Sequence, residues 1–66
     1  MRMIQYGDEG STVRELQQAL VDNGYDIDVD GDFGPATDAA VKDFQSSNGL
    51  DADGVVGPNT WAALGF

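Results

Sequence analysis

The densest group of chemically active side chains is a set of aspartates at alternate positions: Asp26, Asp28, Asp30 and Asp32. The first three, followed by a glycine, match the first six positions of an EF-hand loop, whose carboxylates bind calcium. The twelfth position, where a bidentate glutamate is required, holds Thr37, and Pro35 lies inside the loop. Closely spaced carboxylates repel one another and favour a cation, so Asp26, Asp28 and Asp30 predict at most weak calcium binding.

The residue types that most enzymes use are missing. The 66 residues contain no histidine and no cysteine. This removes the commonest general base, the usual zinc ligands, a thiol nucleophile and disulfides. Two carboxylates are able to hydrolyse a glycoside, but nothing in the sequence marks one of them as having a raised pKa. A domain this short also offers little room for a cleft. We therefore predict no catalytic activity, no cofactor and no metal.

The charge of the chain restricts its partners. Twelve acidic residues against three basic ones give a formal net charge of −9, which disfavours binding to nucleic acid or to anionic lipid. Hydrophobic residues make up 41% of the chain, as in a globular domain. The apolar runs are too short to span a membrane, and residues 1–4 lack the core of a signal peptide. Any export signal is thus expected outside this sequence.

Two segments of the chain repeat each other at a shift of 23 residues: residues 28–41, DVDGDFGPATDAAV, and residues 51–64, DADGVVGPNTWAAL. They share Asp-x-Asp-Gly-x-x-Gly-Pro-x-Thr-x-Ala-Ala, followed by valine or leucine. A weaker echo links residues 13–17, VRELQ, with residues 41–45, VKDFQ, and each of these segments ends in glutamine. The array is too short for a solenoid, which needs about three repeats. It predicts a single domain, residues 1–66, with pseudo-symmetric halves.

Helices are predicted over three ranges: from Ser11 or Thr12 to about Asn23, from Pro35 to about Asn48, and from Pro58 to about Leu64. Pro35 and Pro58 follow glycines and fit the first helical position, where the missing N–H is not needed. Thr12 and Glu15 stand at capping-box spacing. A brief strand pair is the most that the remaining apolar residues could form: Ile27, Val29, Val55 and Val56. The predicted fold class is all-α, a compact three-helix bundle with an Asp-Gly loop before each Gly-Pro helix start.

Three blocks carry a specific combination of motifs: Gly7-Asp8-Glu9-Gly10 before Val13-x-x-Leu16-Gln17-x-x-Leu20, Asp30-Gly31-x-Phe33-Gly34-Pro35-x-Thr37 before Ala40-Val41-x-x-Phe44-Gln45, and Asp53-Gly54-x-Val56-Gly57-Pro58-x-Thr60-Trp61. In this combination the chain resembles the peptidoglycan-binding-domain-1 family from Ile4 to Leu64. The resemblance implies a three-helix, monomeric, non-catalytic module that attaches a linked hydrolase to the bacterial cell wall, as in phage endolysins. It also implies an extracellular or periplasmic location.

Five residues are candidate ligand contacts: Tyr25, Asp30, Phe33, Asp53 and Trp61. Asp30 and Asp53 either bind a sugar hydroxyl, an acetamido N–H or a peptide amine, or accept backbone N–H groups within their own loops. Their repetition in two halves favours the structural alternative. Phe33 is expected in the core, whereas Tyr25, just after a helix end, is expected to contact ligand.

Trp61 allows two interpretations. By the repeat it corresponds to Asp38, for which we expect exposure to solvent. A partly exposed indole would stack on a pyranose ring. In the alternative, Trp61 closes the core beside a short terminal helix. The function that these patterns predict is recognition of peptidoglycan in a shallow groove. The competing hypothesis is a calcium-dependent protein-interaction module that uses the Asp26–Asp32 loop.

Overall fold

Proline begins two of the three helices in the computed structural model, which describes residues 2–66. The helices are α1 (Ser11–Asp22), α2 (Pro35–Ser47) and α3 (Pro58–Ala63). Among the described residues there is no strand, and two isolated antiparallel bridges join Ile4 to Val56 and Glu9 to Asp32. The predicted all-α, three-helix class is confirmed. None of these helices is long and apolar enough to cross a membrane.

The ends of α1 and α2 follow one local rule. At the end of α1, Gly24 has φ +96°, and its N–H donates to the carbonyl of Val21 at 3.0 Å. The next N–H, that of Tyr25, donates to Leu20 at 3.0 Å, which completes a Schellman motif. The segment Asn48–Leu50 closes α2 in the same way, with Gly49 at φ +70°. An Asn-Gly pair therefore stops both helices where the sequence indicated.

The start of α1 at Ser11 agrees with the prediction, but its cap does not. The helix begins at Ser11, its N-cap is Gly10, and no side chain caps it, so the capping box of Thr12 and Glu15 is wrong. The reason is a tertiary contact. The N–H of Gly10 donates to the carbonyl of Gly31 at 2.9 Å. The first Asp-Gly loop (residues 28–33; the second is residues 51–56) therefore fixes how the chain enters the helix.

The brief strand pair that was the upper limit for the loop residues does not form among residues 2–66. Val56 pairs with Ile4, with N···O distances of 2.8 and 3.3 Å, because the N-terminal segment runs alongside the second loop. Val29 remains 42% exposed, and Ile27 packs at the edge of the core. The bridge at the second loop is therefore made with the N-terminal segment and not with the first loop.

The core combines residues from all three helices with three residues outside them. Its buried hydrophobic cluster consists of Ile4, Val13, Leu16, Leu20, Phe33, Ala40, Val41, Phe44, Val56 and Trp61. Four polar residues are buried with it: Gln17, Thr37, Gln45 and Thr60. Every buried side-chain nitrogen and oxygen in residues 2–66 has a hydrogen-bond partner. Because burying an unpaired polar group is costly, these four side chains must be bonded. The two glutamines bond to the two Asp-Gly loops, and each threonine hydroxyl accepts a bond from one glutamine.

Candidate functional site

A buried glutamine of α1 organises the first Asp-Gly loop. The Nε2 of Gln17 donates to Asp30 Oδ1 and to the carbonyl of Asp32, each at 3.0 Å. It also lies 3.1 Å from the hydroxyl of Thr37, at the start of α2. Its Oε1 accepts the N–H of Gly31 at 2.8 Å. One side chain therefore ties α1, the loop and the first turn of α2 together.

A second buried glutamine, on α2, makes the corresponding bonds to the second loop. The Nε2 of Gln45 donates to Asp53 Oδ1 at 3.2 Å and to the carbonyl of Val55 at 2.9 Å. It also reaches the hydroxyl of Thr60 at 3.1 Å, and its Oε1 accepts the N–H of Gly54 at 3.0 Å. Both glutamines are at most 1% exposed, so their side-chain amides are shielded from water, whereas Asp30 and Asp53 are exposed.

The repeated aspartates stabilise their own loops. Asp30 Oδ1 accepts the N–H of Asp32 at 3.0 Å, and Asp53 Oδ1 accepts the N–H of Val55 at 2.9 Å. The Asp32 N–H and the amide of Gln17, aided by the nearby charge of Arg14, lower the pKa of Asp30. The other carboxylate oxygen, Oδ2, has no hydrogen-bond partner in residues 2–66 for either aspartate. Each therefore has one oxygen bonded in its loop and one available to a ligand.

Trp61 lies in the core. It is 3% exposed, its Nε1 donates to the carbonyl of Arg2 at 3.0 Å, and its ring meets Phe66 edge to face at 4.9 Å. The exposed-indole interpretation is wrong, and its premise fails as well. Asp38 is only 22% exposed, because it pairs with Lys42 at 3.1 Å. Phe33 is 2% exposed, in agreement with its predicted place in the core. Neither ring offers a face to a sugar.

Tyr25 lies at the surface between α1 and α2. Its ring packs against the edge of the core, and its hydroxyl donates to Asp43 Oδ2 at 2.7 Å. Partial burial, followed by the carboxylate of Asp43, raises the pKa of Tyr25. The hydroxyl is thus bonded within the domain, and a ligand contact at Tyr25 stays a prediction.

The aspartates of the EF-hand-like segment are not gathered around one point. Among residues 2–66 no group of three or more acidic side chains is placed to hold a metal ion. The Oδ1 of Asp30 is already bonded to Gln17 and to Asp32. The calcium hypothesis for Asp26, Asp28 and Asp30 stays a prediction without geometric support.

A groove of about 160 Å³ lies beside the second Asp-Gly loop. Its lining consists of Met3, Gln45, Leu50, Asp51, Asp53, Val55, Gly57, Pro58, Asn59 and Thr60. Four of these residues form apolar walls: Met3, Leu50, Val55 and Pro58. Three supply polar groups at the surface: Asp51, Asp53 and Asn59. Small-molecule sites share this combination of apolar walls with a few polar groups, and the groove is smaller than the roughly 300–1,000 Å³ that such sites usually enclose.

Of the five predicted contacts, only Asp53 lines this groove. Sequence reasoning missed Met3 and Leu50, because their approach to the loop depends on the pairing of Ile4 with Val56 and on the end of α2. One feature of the sequence pointed to Asn59: this polar residue stands where the first repeat has Ala36. A second, broader depression of about 360 Å³ lies between α1 and the last three residues.

Comparisons with known proteins agree on one kind of domain. Residues 9–64 match the family described as "Putative peptidoglycan binding domain". The zinc D-Ala-D-Ala carboxypeptidase of Streptomyces albus G is 48% identical over 58 residues, which are 83% of this chain and 23% of that protein. The chain spans 56%, 23% and 19% of three curated relatives that it matches.

Two solved structures superimpose closely. A peptidoglycan-binding protein from Clostridioides difficile, solved with glutamine hydroxamate, has a TM-score of 0.95 and 42% identity, and the match covers 97% of this chain and 40% of that one. The N-terminal domain of SleB has a TM-score of 0.91 and 44% identity, and the match covers 96% of this chain and 88% of that one.

Proposed function

Because this chain belongs to the family of peptidoglycan-binding domains, we propose that it binds bacterial cell-wall peptidoglycan and holds a linked hydrolase against that polymer. The family match over residues 9–64 carries the proposal, and it confirms the resemblance that the motif order indicated. The chain is a binding module rather than an enzyme. Its place of action is the cell wall, outside the cytoplasmic membrane.

The groove beside the second loop is the proposed contact surface. Peptidoglycan offers pyranose rings with apolar faces, acetamido groups and peptide amides. Leu50 and Pro58 supply apolar surface for a ring or an acetamido methyl group. The free Oδ2 of Asp53 accepts a hydrogen bond from a hydroxyl or an amide, and the side chain of Asn59 both donates and accepts. The broader depression is less suitable, because neither of the repeated Asp-Gly loops lines it.

Short-range contacts must supply the binding free energy. The domain carries a net charge of −9, and most cell walls are also anionic, so the long-range electrostatic force is repulsive. Binding by a single groove of this size is weak. Linkage to a hydrolase turns weak binding into a high local concentration of the enzyme at its polymer, which is the advantage of a separate module.

Sedimentation with purified sacculi from several bacteria tests the proposal. We expect the wild-type domain to sediment with sacculi of at least one type, and added salt to leave binding unchanged or slightly stronger, since charges are screened beyond about 10 Å at 0.1 M. Asn59→Ala should weaken binding about threefold or more, because it removes a polar contact at the groove. Absence of binding to every sacculus type would refute the proposed function.

A matched pair of variants separates the groove from general charge effects. Asp51 lines the groove, and Asp28, its counterpart in the repeat, is likewise exposed on the first loop. Removing either carboxylate by Asp51→Ala or Asp28→Ala changes the net charge equally. Only Asp51→Ala should alter sacculus binding at constant salt. Binding that collapses in moderate salt would instead assign the contact to a carboxylate paired with a stem-peptide amine.

A further inference from the structure

We infer that the two Asp-Gly loops have different tasks: the second loop alone contacts the ligand, Gln45 is its positioning residue, and the equivalent Gln17 serves only the fold. The inference rests on the proposed function, since it names the part of the domain that performs it. Its basis is that two nearly identical hydrogen-bond networks have different surroundings.

Most of the residues to which Gln45 bonds line the groove. Three of its four partner residues, Asp53, Val55 and Thr60, line the groove, and Gln45 itself forms part of the lining. The bond to Asp53 engages Oδ1 and so fixes the direction in which Oδ2 points. The bond to the Val55 carbonyl sets the backbone of the apolar wall. Gln45 therefore determines the position of groups that meet the ligand, without facing solvent itself.

Backbone bonds to the N-terminal segment are more numerous at the first loop than at the second. Residues 7–10 make three bonds to the first loop: Gly7 N–H to the Phe33 carbonyl at 3.0 Å, Phe33 N–H to the Asp8 carbonyl at 2.9 Å, and Gly10 N–H to the Gly31 carbonyl at 2.9 Å. At the second loop the segment makes the two bonds between Ile4 and Val56. A side chain lies over the glycine of each loop, so this feature does not separate them: Arg14 Nε is 3.0 Å from a Cβ placed on Gly31, and Asp38 Oδ1 is 2.7 Å from one placed on Gly54.

The side chains around the two loops also favour the second loop as the one that contacts the ligand. Asp32 stands where the second loop has the apolar wall residue Val55, and Ala36 stands where it has the amide of Asn59. The first loop therefore has an additional negative charge and lacks one polar contact group. A neutral acetamido sugar or a peptide amide finds better-matched groups at the second loop.

The amides of Gly31 and Gly54 are matched reporters of the two loops, because each donates to the Oε1 of its glutamine, at 2.8 and 3.0 Å. In ¹H–¹⁵N spectra of the wild-type domain, we expect soluble muropeptides released from sacculi by a muramidase to shift the Gly54 resonance. The Gly31 resonance should stay in place. Equal shifts at both glycines, or a shift at Gly31 alone, would overturn the inference.

Paired variants test the role of Gln45. Gln45→Glu and Gln17→Glu each replace the donating amide by an acceptor of the same shape and destabilise the domain through the same set of bonds. Sacculus binding, measured per folded molecule below each variant's melting range, should fall about tenfold for Gln45→Glu and less than about twofold for Gln17→Glu. Lowering the pH should return a proton to the introduced carboxyl, which then donates one hydrogen bond, and should raise the binding of Gln45→Glu by a larger factor than that of the wild type.

A milder pair applies if the glutamate variants do not fold. Thr60→Val and Thr37→Val each remove one hydroxyl acceptor from the respective glutamine and keep the side-chain shape. Only Thr60→Val should weaken binding. Equal losses in both members of a pair, or losses in neither, would show that the networks serve the fold alone. Failure of the wild-type domain to bind any sacculus would instead refute the proposed function, so the two failures are distinguishable.

Discussion

Replacing Trp61 by alanine should unfold the domain rather than remove a ligand contact. The indole is 3% exposed, and its Nε1 bond to the Arg2 carbonyl joins residues 59 positions apart in the chain. Removing a buried tryptophan side chain costs about 3–5 kcal/mol. A domain of this size without disulfides is stable by only about 3–5 kcal/mol. The loss is therefore nearly as large as the whole free energy of unfolding.

Two further variants calibrate the effect. Trp61→Phe keeps an aromatic ring but loses the N–H, and it should cost about 1–2 kcal/mol. Phe66→Ala removes the other ring of the aromatic pair, which is 55% exposed, and should cost less than about 1 kcal/mol. In a small domain each kcal/mol lowers Tm by roughly 4–8 °C.

Far-UV circular dichroism during heating and urea denaturation measures these differences, with sacculus sedimentation of the same samples in parallel. We expect Trp61→Ala to show little helical signal at 25 °C, and Phe66→Ala to melt near the wild-type temperature. The reasoning would be refuted if Trp61→Ala kept the wild-type Tm yet no longer sedimented with sacculi. That result would make the indole an exposed contact.

Three other perturbations have defined outcomes. Gly54 has φ +77°, and a Cβ there would stand 2.7 Å from a carboxylate oxygen of the ion-paired aspartate on α2. Gly54→Ala should therefore lower Tm more than Gly24→Ala, whose Cβ would meet nothing within 4 Å. Equal Tm losses in the two variants would contradict this. The pKa of Asp30 is lowered in the folded state, so its contribution to the free energy of unfolding is present above the ordinary aspartate pKa of about 3.9 and is lost as pH falls through the folded-state value. Acid titration of Asp30→Asn, monitored by circular dichroism, should show a smaller loss of stability below about pH 4 than the wild type, and an unchanged slope would disprove the assignment. Millimolar calcium should change Tm only slightly, and a calorimetric Kd at or below about 1 µM would favour the calcium hypothesis instead.

The sequence by itself determined where the helices begin and end, and to which family the chain belongs. Pro35 and Pro58 mark the starts of α2 and α3, and glycines after Asn23 and Asn48 stop α1 and α2. These signals are reliable because each acts through the backbone of its own few residues: a fixed φ in proline, and a positive φ that glycine adopts without strain. The repeated motifs also located both loops.

Tertiary structure alone decided which residues are buried and which lie together in the groove. The sequence showed both glutamines at the ends of matching segments, but it did not show to which loops they bond. It placed Asp53 in a loop, but not beside Met3, and it left Trp61 open between core and surface. These outcomes depend on contacts between distant parts of the chain, such as Ile4 with Val56 and Arg2 with Trp61. Local propensity and spacing carry no information about such contacts, because the free energy of burial depends on whatever the folded chain brings alongside.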